Sequence, residues 1–193
     1  MGKPAKRIAT YEDVLAAPEN KVAEIIEGEL VLSPRPAGPH TVALSALTEE
    51  LGPPFKRGRG GPGGWIILAE PEVHLEGNVL VPDLAGWRRE TMNVVRKEPP
   101  YFTIRPDWIC EVLSPSTERR DRADKVRLYA RTGVTSAWLV NPLQRTLEVL
   151  RLAHETPTQW TTLGVFTDDA KVRAAPFEAF ELDLAVLWQD VEP

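Results

Sequence analysis

Two acids in this chain stand where apolar residues are expected. Glu111 sits in the middle of the run Trp108 to Leu113, and Asp83 interrupts the strand-like stretch VLVPDLAGW. A buried ionised carboxylate is costly unless it is paired, hydrogen-bonded or bound to a metal. Two carboxylates on neighbouring strands can share a divalent cation, since Mg²⁺ takes one or two carboxylates together with water and a phosphate oxygen. Lys125 follows in the arginine-rich helix directly after the Glu111 run, with Asp121 and Tyr129 at i−4 and i+4. These three share one side of a helix. A strand residue advances roughly 3.3 Å and a helix residue roughly 1.5 Å. If SPS (114–116) turns the chain back over the sheet, Lys125 therefore returns towards the level of Glu111. An ammonium there offsets the buried acid and can steady a hydroxide or phosphate oxygen. The alternative is a structural Glu–Lys pair that holds helix to sheet.

The elements that must position these residues are legible as pattern. TYEDVLAA (10–17) reads as a short helix with Thr10 and Asp13 as a weak capping box. KVAEIIEGELVLSP (21–34) reads as two strands around a turn at Glu27–Gly28. HTVALSALTEEL (40–51) has helical spacing through Val42, Leu44, Leu47 and Leu51. GPPFKRGRGGPGG (52–64) reads as a flexible loop. Strands are expected at 65–70, 72–77 and 78–89, with Pro82 marking a bend or edge. Residues 90–105 are mixed, with room for a short helix. DWICEVLS (107–114) is a strand covered on both faces. A helix runs from a cap at Ser116 or Thr117 to Gly133. Further strands lie at 136–141, 145–152 and 160–166, and a helical turn closes 180–188. The pattern predicts one α/β (α+β) domain over residues 1–193, a mixed sheet with helices packed on it.

The chain has 193 residues and a net charge of −5, so it is no polycation that would coat nucleic acid. Lys56, Arg57 and Arg59, then Arg88–Arg89 and Arg119–Arg120, form basic clusters around the candidate acids, and together they favour an anionic substrate. The single Cys110 and the lack of an apolar leader behind MGKPAKRIATYEDV point to the cytoplasm, and no stretch is apolar enough to span a membrane. His74 and His154 lack metal-ligand spacing to each other or to Cys110, which reads as a small buried hydrophobe. GRGGPGG lacks the Lys-Ser/Thr of a phosphate-cradling loop.

The run PDL … CEVLSPSTERRDRADKVRLYARTGV … AWLVNP, with AEIIEGELVLSP and PRPAGPH upstream, resembles the Uma-two family of restriction-endonuclease-like proteins. That family is similar to the PD-(D/E)XK nucleases. The resemblance covers roughly residues 10 to 188. It implies a restriction-endonuclease-like fold with Asp83 and Glu111 as metal-binding acids for Mg²⁺ or Mn²⁺. The superfamily lysine two residues beyond the second acid is here Leu113, and the resemblance moves its role to Lys125 in the following helix. Glu29 of EGEL and His40 of PAGPH match further family positions, with Glu24 a weaker candidate. Ala137 stands where relatives carry tyrosine. The activity implied is metal-dependent hydrolysis of DNA, with basic residues of the glycine-rich loop positioning phosphates. Cutting two strands suits a homodimer. The competing reading is a catalytically silent nucleic-acid or protein-binding module on the same scaffold.

Overall fold

The computed structural model describes residues 7–35, 38–153 and 158–192, so His154 lies outside the described residues. In chain order, α1 (Tyr11–Leu15) precedes a hairpin of β1 (Lys21–Ile26) and β2 (Glu29–Pro34), then α2 (Pro39–Leu51). β3 (Trp65–Ala69), β4 (Val73–Leu75), β5 (Asn78–Leu80), β6 (Leu84–Arg88) and β7 (Trp108–Val112) follow. A helical segment runs as α3 (Glu118–Arg120), a π-helical stretch Asp121–Lys125 and α4 (Val126–Arg131). β8 (Ser136–Asn141), β9 (Thr146–Leu152), β10 (Trp160–Thr167), β11 (Lys171–Val172), β12 (Leu182–Asp183) and a 3₁₀ turn Leu184–Leu187 complete the order.

The main sheet has six strands in the order β10-β9-β8-β7-β6-β3, and a second sheet has four in the order β2-β1-β5-β4. Within the main sheet only β7 and β8 pair in parallel, joined by the α3–α4 crossover. Strand alternation then sorts β7. Trp108, Cys110 and Val112 face a core made with α2 and the C-terminal segment. Ile109 belongs to the opposite core, packed on α4 and the small sheet, and Glu111 shares its face. This is the mixed sheet flanked by helices that the pattern predicts. Among the described residues no helix is long and apolar enough to cross a membrane.

Several elements differ from their predicted form, each for a local reason. The predicted strand 78–89 is two strands in different sheets. β5 ends at Leu80 and β6 begins at Leu84, with Pro82, which cannot donate to a ladder, in the gap. Residues 52–56 are not loop. Gly52–Lys56 prolongs α2 by a π-helical turn, because Phe55 is buried against Phe177 with ring centroids 4.6 Å apart. The buried stripe of α2 is His40, Ala43, Leu47 and Leu51, so a histidine and an alanine take the places expected of Val42 and Leu44. Residues 90–105 form no helix, and their one ladder contact is a bridge from Phe102 to Val73. Thr117 is the N-cap residue of α3, but its side chain makes no cap bond and its hydroxyl lies 3.0 Å from that of Ser114.

Candidate active site

The gap between β5 and β6 leaves the main chain of Val81 outside both sheets, and side chains satisfy it. Glu24, from β1, accepts the Val81 N–H through Oε1 at 2.9 Å. Lys125 donates to the Val81 carbonyl at 3.3 Å. The same Lys125 Nζ lies 3.1 Å from Glu24 Oε1 and 2.8 Å from Glu111 Oε1. Asp83 closes the open end of the β6–β7 ladder, where its Oδ2 accepts the Val112 N–H at 2.7 Å. Its other oxygen, Oδ1, lies 3.1 Å from His40 Nε2 at the start of α2. Tyr129, one turn beyond Lys125, donates its hydroxyl to Glu111 Oε1 at 2.7 Å. Lys125 and Tyr129 thus hold the same oxygen of Glu111, and its second oxygen is not needed for that network.

The π-helical stretch carries both Asp121 and Lys125 on its buried side, with Lys125 Nζ 4.0 Å from Asp121 Oδ1. Such stretches widen the turn locally and recur at functional sites. Glu24, Asp83, Glu111 and Asp121 meet at an open cavity of about 310 Å³, which Ser114, Ser116, Thr117 and Arg35 also line. Burial raises the Glu111 carboxyl well above the ordinary carboxylate range; Lys125 opposes this, and Asp121, Asp83 and Glu24 reinforce it. Burial also raises Asp121, against the pull of Lys125. For Lys125, burial works towards neutrality, but Glu111 and Glu24 outweigh it and hold the ammonium well above its usual value. One cation therefore sits among a surplus of buried acids, and it stays charged.

That surplus bears on whether the residues suit a divalent cation. Among the described residues no three His, Cys, Asp or Glu side chains form a metal cluster. Mg²⁺ and Mn²⁺ do not need one, since two carboxylates completed by water and substrate oxygens suffice for Mg²⁺. Asp83 and Glu111 offer hard oxygen donors in a cavity where carboxyl groups outnumber the single ammonium, which fits such an ion. The buried Nδ1 of His40 has no hydrogen-bond partner among the described residues, consistent with a ring held by its Nε2 contact.

The structure brings Asp83, Glu111, Lys125, His40 and Glu24 together. It does not bring Glu29. That residue pairs with Ile26 at the hairpin end, two positions along β2 from Val31, the partner of Glu24, or about 7 Å further from the cavity. It is exposed and lines no part of the cavity. Glu24, the weaker candidate, lines the cavity instead. The glycine-rich loop is likewise displaced. It feeds the start of β3, where Trp65 pairs with Arg88, whereas Asp83 and Glu70 lie at the other end of that strand pair. Five strand residues separate them by about 17 Å. Sequence reasoning did not single out Glu70, which lines the cavity with a left-handed backbone (φ 46°). Nothing in WIILAEPEV marks it.

The family model described as "Putative restriction endonuclease" (Uma2) matches residues 8–186. The chain belongs to the Uma2 family. A crystal structure from Anabaena variabilis ATCC 29413, described as a putative nuclease belonging to DUF820, superposes with a TM-score of 0.74 at 26% identity. The match covers 94% of this chain and 98% of that one. No curated protein matches the sequence. The Uma2 chain therefore has the fold of a nuclease-like protein over nearly its whole length.

Proposed function

We propose that this Uma2 protein is a divalent-metal-dependent endonuclease that hydrolyses phosphodiester bonds of DNA. The observation that carries this reading is the meeting of Asp83, Glu111 and Lys125 in one open cavity, with Lys125 Nζ 2.8 Å from Glu111. Asp83 and Glu111 would hold Mg²⁺ or Mn²⁺. When bound, such an ion polarises a phosphoryl oxygen and lowers the pKa of a bound water. Glu111 is fixed for this role by Lys125 and Tyr129 on one oxygen, and Asp83 by Val112 and His40. The persistent positive charge of Lys125 offsets negative charge that develops on the attacking oxygen and the phosphoryl group. A homodimer would present two such sites to opposite strands, and the cytoplasm is the compartment where chromosomal or invading DNA would be met.

A second reading has one observation in its favour. An ammonium has three protons, and those of Lys125 already have takers at Glu111, Glu24 and the Val81 carbonyl. That is what a structural tie in a silent binding module would look like. Supercoiled plasmid and single-stranded RNA incubated with Mg²⁺ or Mn²⁺ separate the two. The nuclease reading expects plasmid nicking or linearisation by wild type and none by Asp83→Asn, with both proteins folded. If wild type cuts no nucleic acid with any divalent ion, the silent module replaces it.

A further inference from the structure

A nuclease needs cations beside the bond it cuts, and the cavity interior is acidic. The basic residues that the sequence offers most conspicuously, Lys56, Arg57 and Arg59, lie at the far end of the sheet. Arg88 is at that end too, with its guanidinium 4.5 Å from the centre of the Trp65 ring. The cavity mouth has a different supply. Arg35, just past β2, lines one wall, and Arg120, on α3, donates at 2.9 Å to the hydroxyl of Ser33, which itself lines the cavity.

These two arginines differ from those further along the same helical segment. Arg122 is paired with Glu118 and Glu148, and Arg127 and Arg131 with Glu27. Arg35 donates to the carbonyl of Glu19 at 3.2 Å and Arg120 to a hydroxyl. Neither is ion-paired with a carboxylate among the described residues. A neutral acceptor orients a guanidinium but leaves its charge uncompensated, and the planar fork keeps spare donors suited to a phosphate. Between the two walls, Ser114, Ser116 and Thr117 line the cavity, with the Ser114 hydroxyl 3.0 Å from each of the others. Hydroxyl rotors can turn from one another to an incoming oxygen.

We propose that Arg35 and Arg120 are the phosphate clamp of this site, each taking a backbone phosphate of duplex DNA next to the one cleaved, with the Ser114–Ser116–Thr117 hydroxyls between them. The inference rests on the nuclease reading and specifies where its substrate lies. The strand enters between β2 and the β7–α3 loop, and the glycine-rich loop makes no contact with it.

The test is the salt dependence of binding, measured by fluorescence anisotropy of a short labelled duplex in millimolar Ca²⁺. Each phosphate contact contributes about 0.9 to the slope of log K against log salt. Arg35→Gln and Arg120→Gln should each flatten the slope by about 0.9, and the pair together by about 1.8. Arg35→Lys should keep the wild-type slope. The double variant Arg57→Gln/Arg59→Gln should leave it unchanged. Because Arg120 also ties two walls together, melting curves accompany its variant, and exposed Arg35 carries the test independently. An unchanged slope in Arg35→Gln, or a flattened slope in the loop variant, overturns the clamp alone. Failure of the wild-type protein to bind duplex DNA overturns the nuclease reading beneath it.

Discussion

Replacing Lys125 by methionine keeps an unbranched side chain, one heavy atom shorter, and removes its charge. Three carboxylate oxygens lie 2.8, 3.1 and 4.0 Å from Nζ. At an effective dielectric of about 20 these contacts are worth about 6, 5 and 4 kcal/mol gross. Most of that is cancelled by the desolvation of the ions, so the figure that matters is the cost of leaving buried acids without their partner, about 3–5 kcal/mol. Against a typical domain stability of about 5–15 kcal/mol, the variant should fold with much of its margin gone. The pH dependence follows from the direction of the shifts. Burial already raises Glu111 and Asp121, and losing Lys125 raises them further. Acids with raised folded-state pKa values cost stability progressively as pH rises from their unfolded-state values through the folded-state ones, and the penalty disappears once pH falls below the unfolded-state values. Urea melts should show the largest gap between wild type and Lys125→Met near pH 8, narrowing towards about pH 5. A variant as stable as wild type at pH 8, or a gap that widens on acidification, would refute the claim that Lys125 neutralises this cluster.

Other substitutions probe the network separately. Tyr129→Phe removes the hydroxyl bond to Glu111 and should cost about 1.5–3 kcal/mol in urea melts, as expected for a hydrogen bond to a charged group. Glu24→Gln should cost a similar amount, about 1.5–3 kcal/mol, because Glu24 serves both Lys125 and Val81. Glu29→Gln should leave plasmid cleavage unaffected, because Glu29 lines no part of the cavity. Mn²⁺ at about 100 times its Kd should stabilise the folded protein by about 2.7 kcal/mol in thermal melts, and Asp83→Asn should abolish that gain.

The meeting of Asp83, Glu111 and Lys125 was legible because its signals are local. An acid inside an apolar run, a proline before another acid, and a lysine in register with an aspartate and a tyrosine all survive in a linear sequence. Alternation also put Cys110 on the face opposite Glu111, as the two cores show. What the sequence left hidden depends on where elements go rather than what they are. Composition reports that residues 56–59 are basic but not which end of the sheet they occupy. Glu24 and Glu29 both belong to one hairpin and face the same way, and only register shows which of them lies level with Val81. The π-helical stretch is invisible because positions 121, 125 and 129 suit an α-helix equally well. Gly52–Lys56 read as loop because its prolines conceal the burial of Phe55.

The central claim is that Asp83 and Glu111 hold a divalent cation beside Lys125. An anomalous difference map from crystals soaked in Mn²⁺ tests it most directly. The account predicts a peak within the cavity, bonded to oxygens of both Asp83 and Glu111, and its loss in Asp83→Asn crystals. A peak bound elsewhere, or an undisturbed Lys125–Glu111 pair with no ion beside it at saturating Mn²⁺, would contradict it.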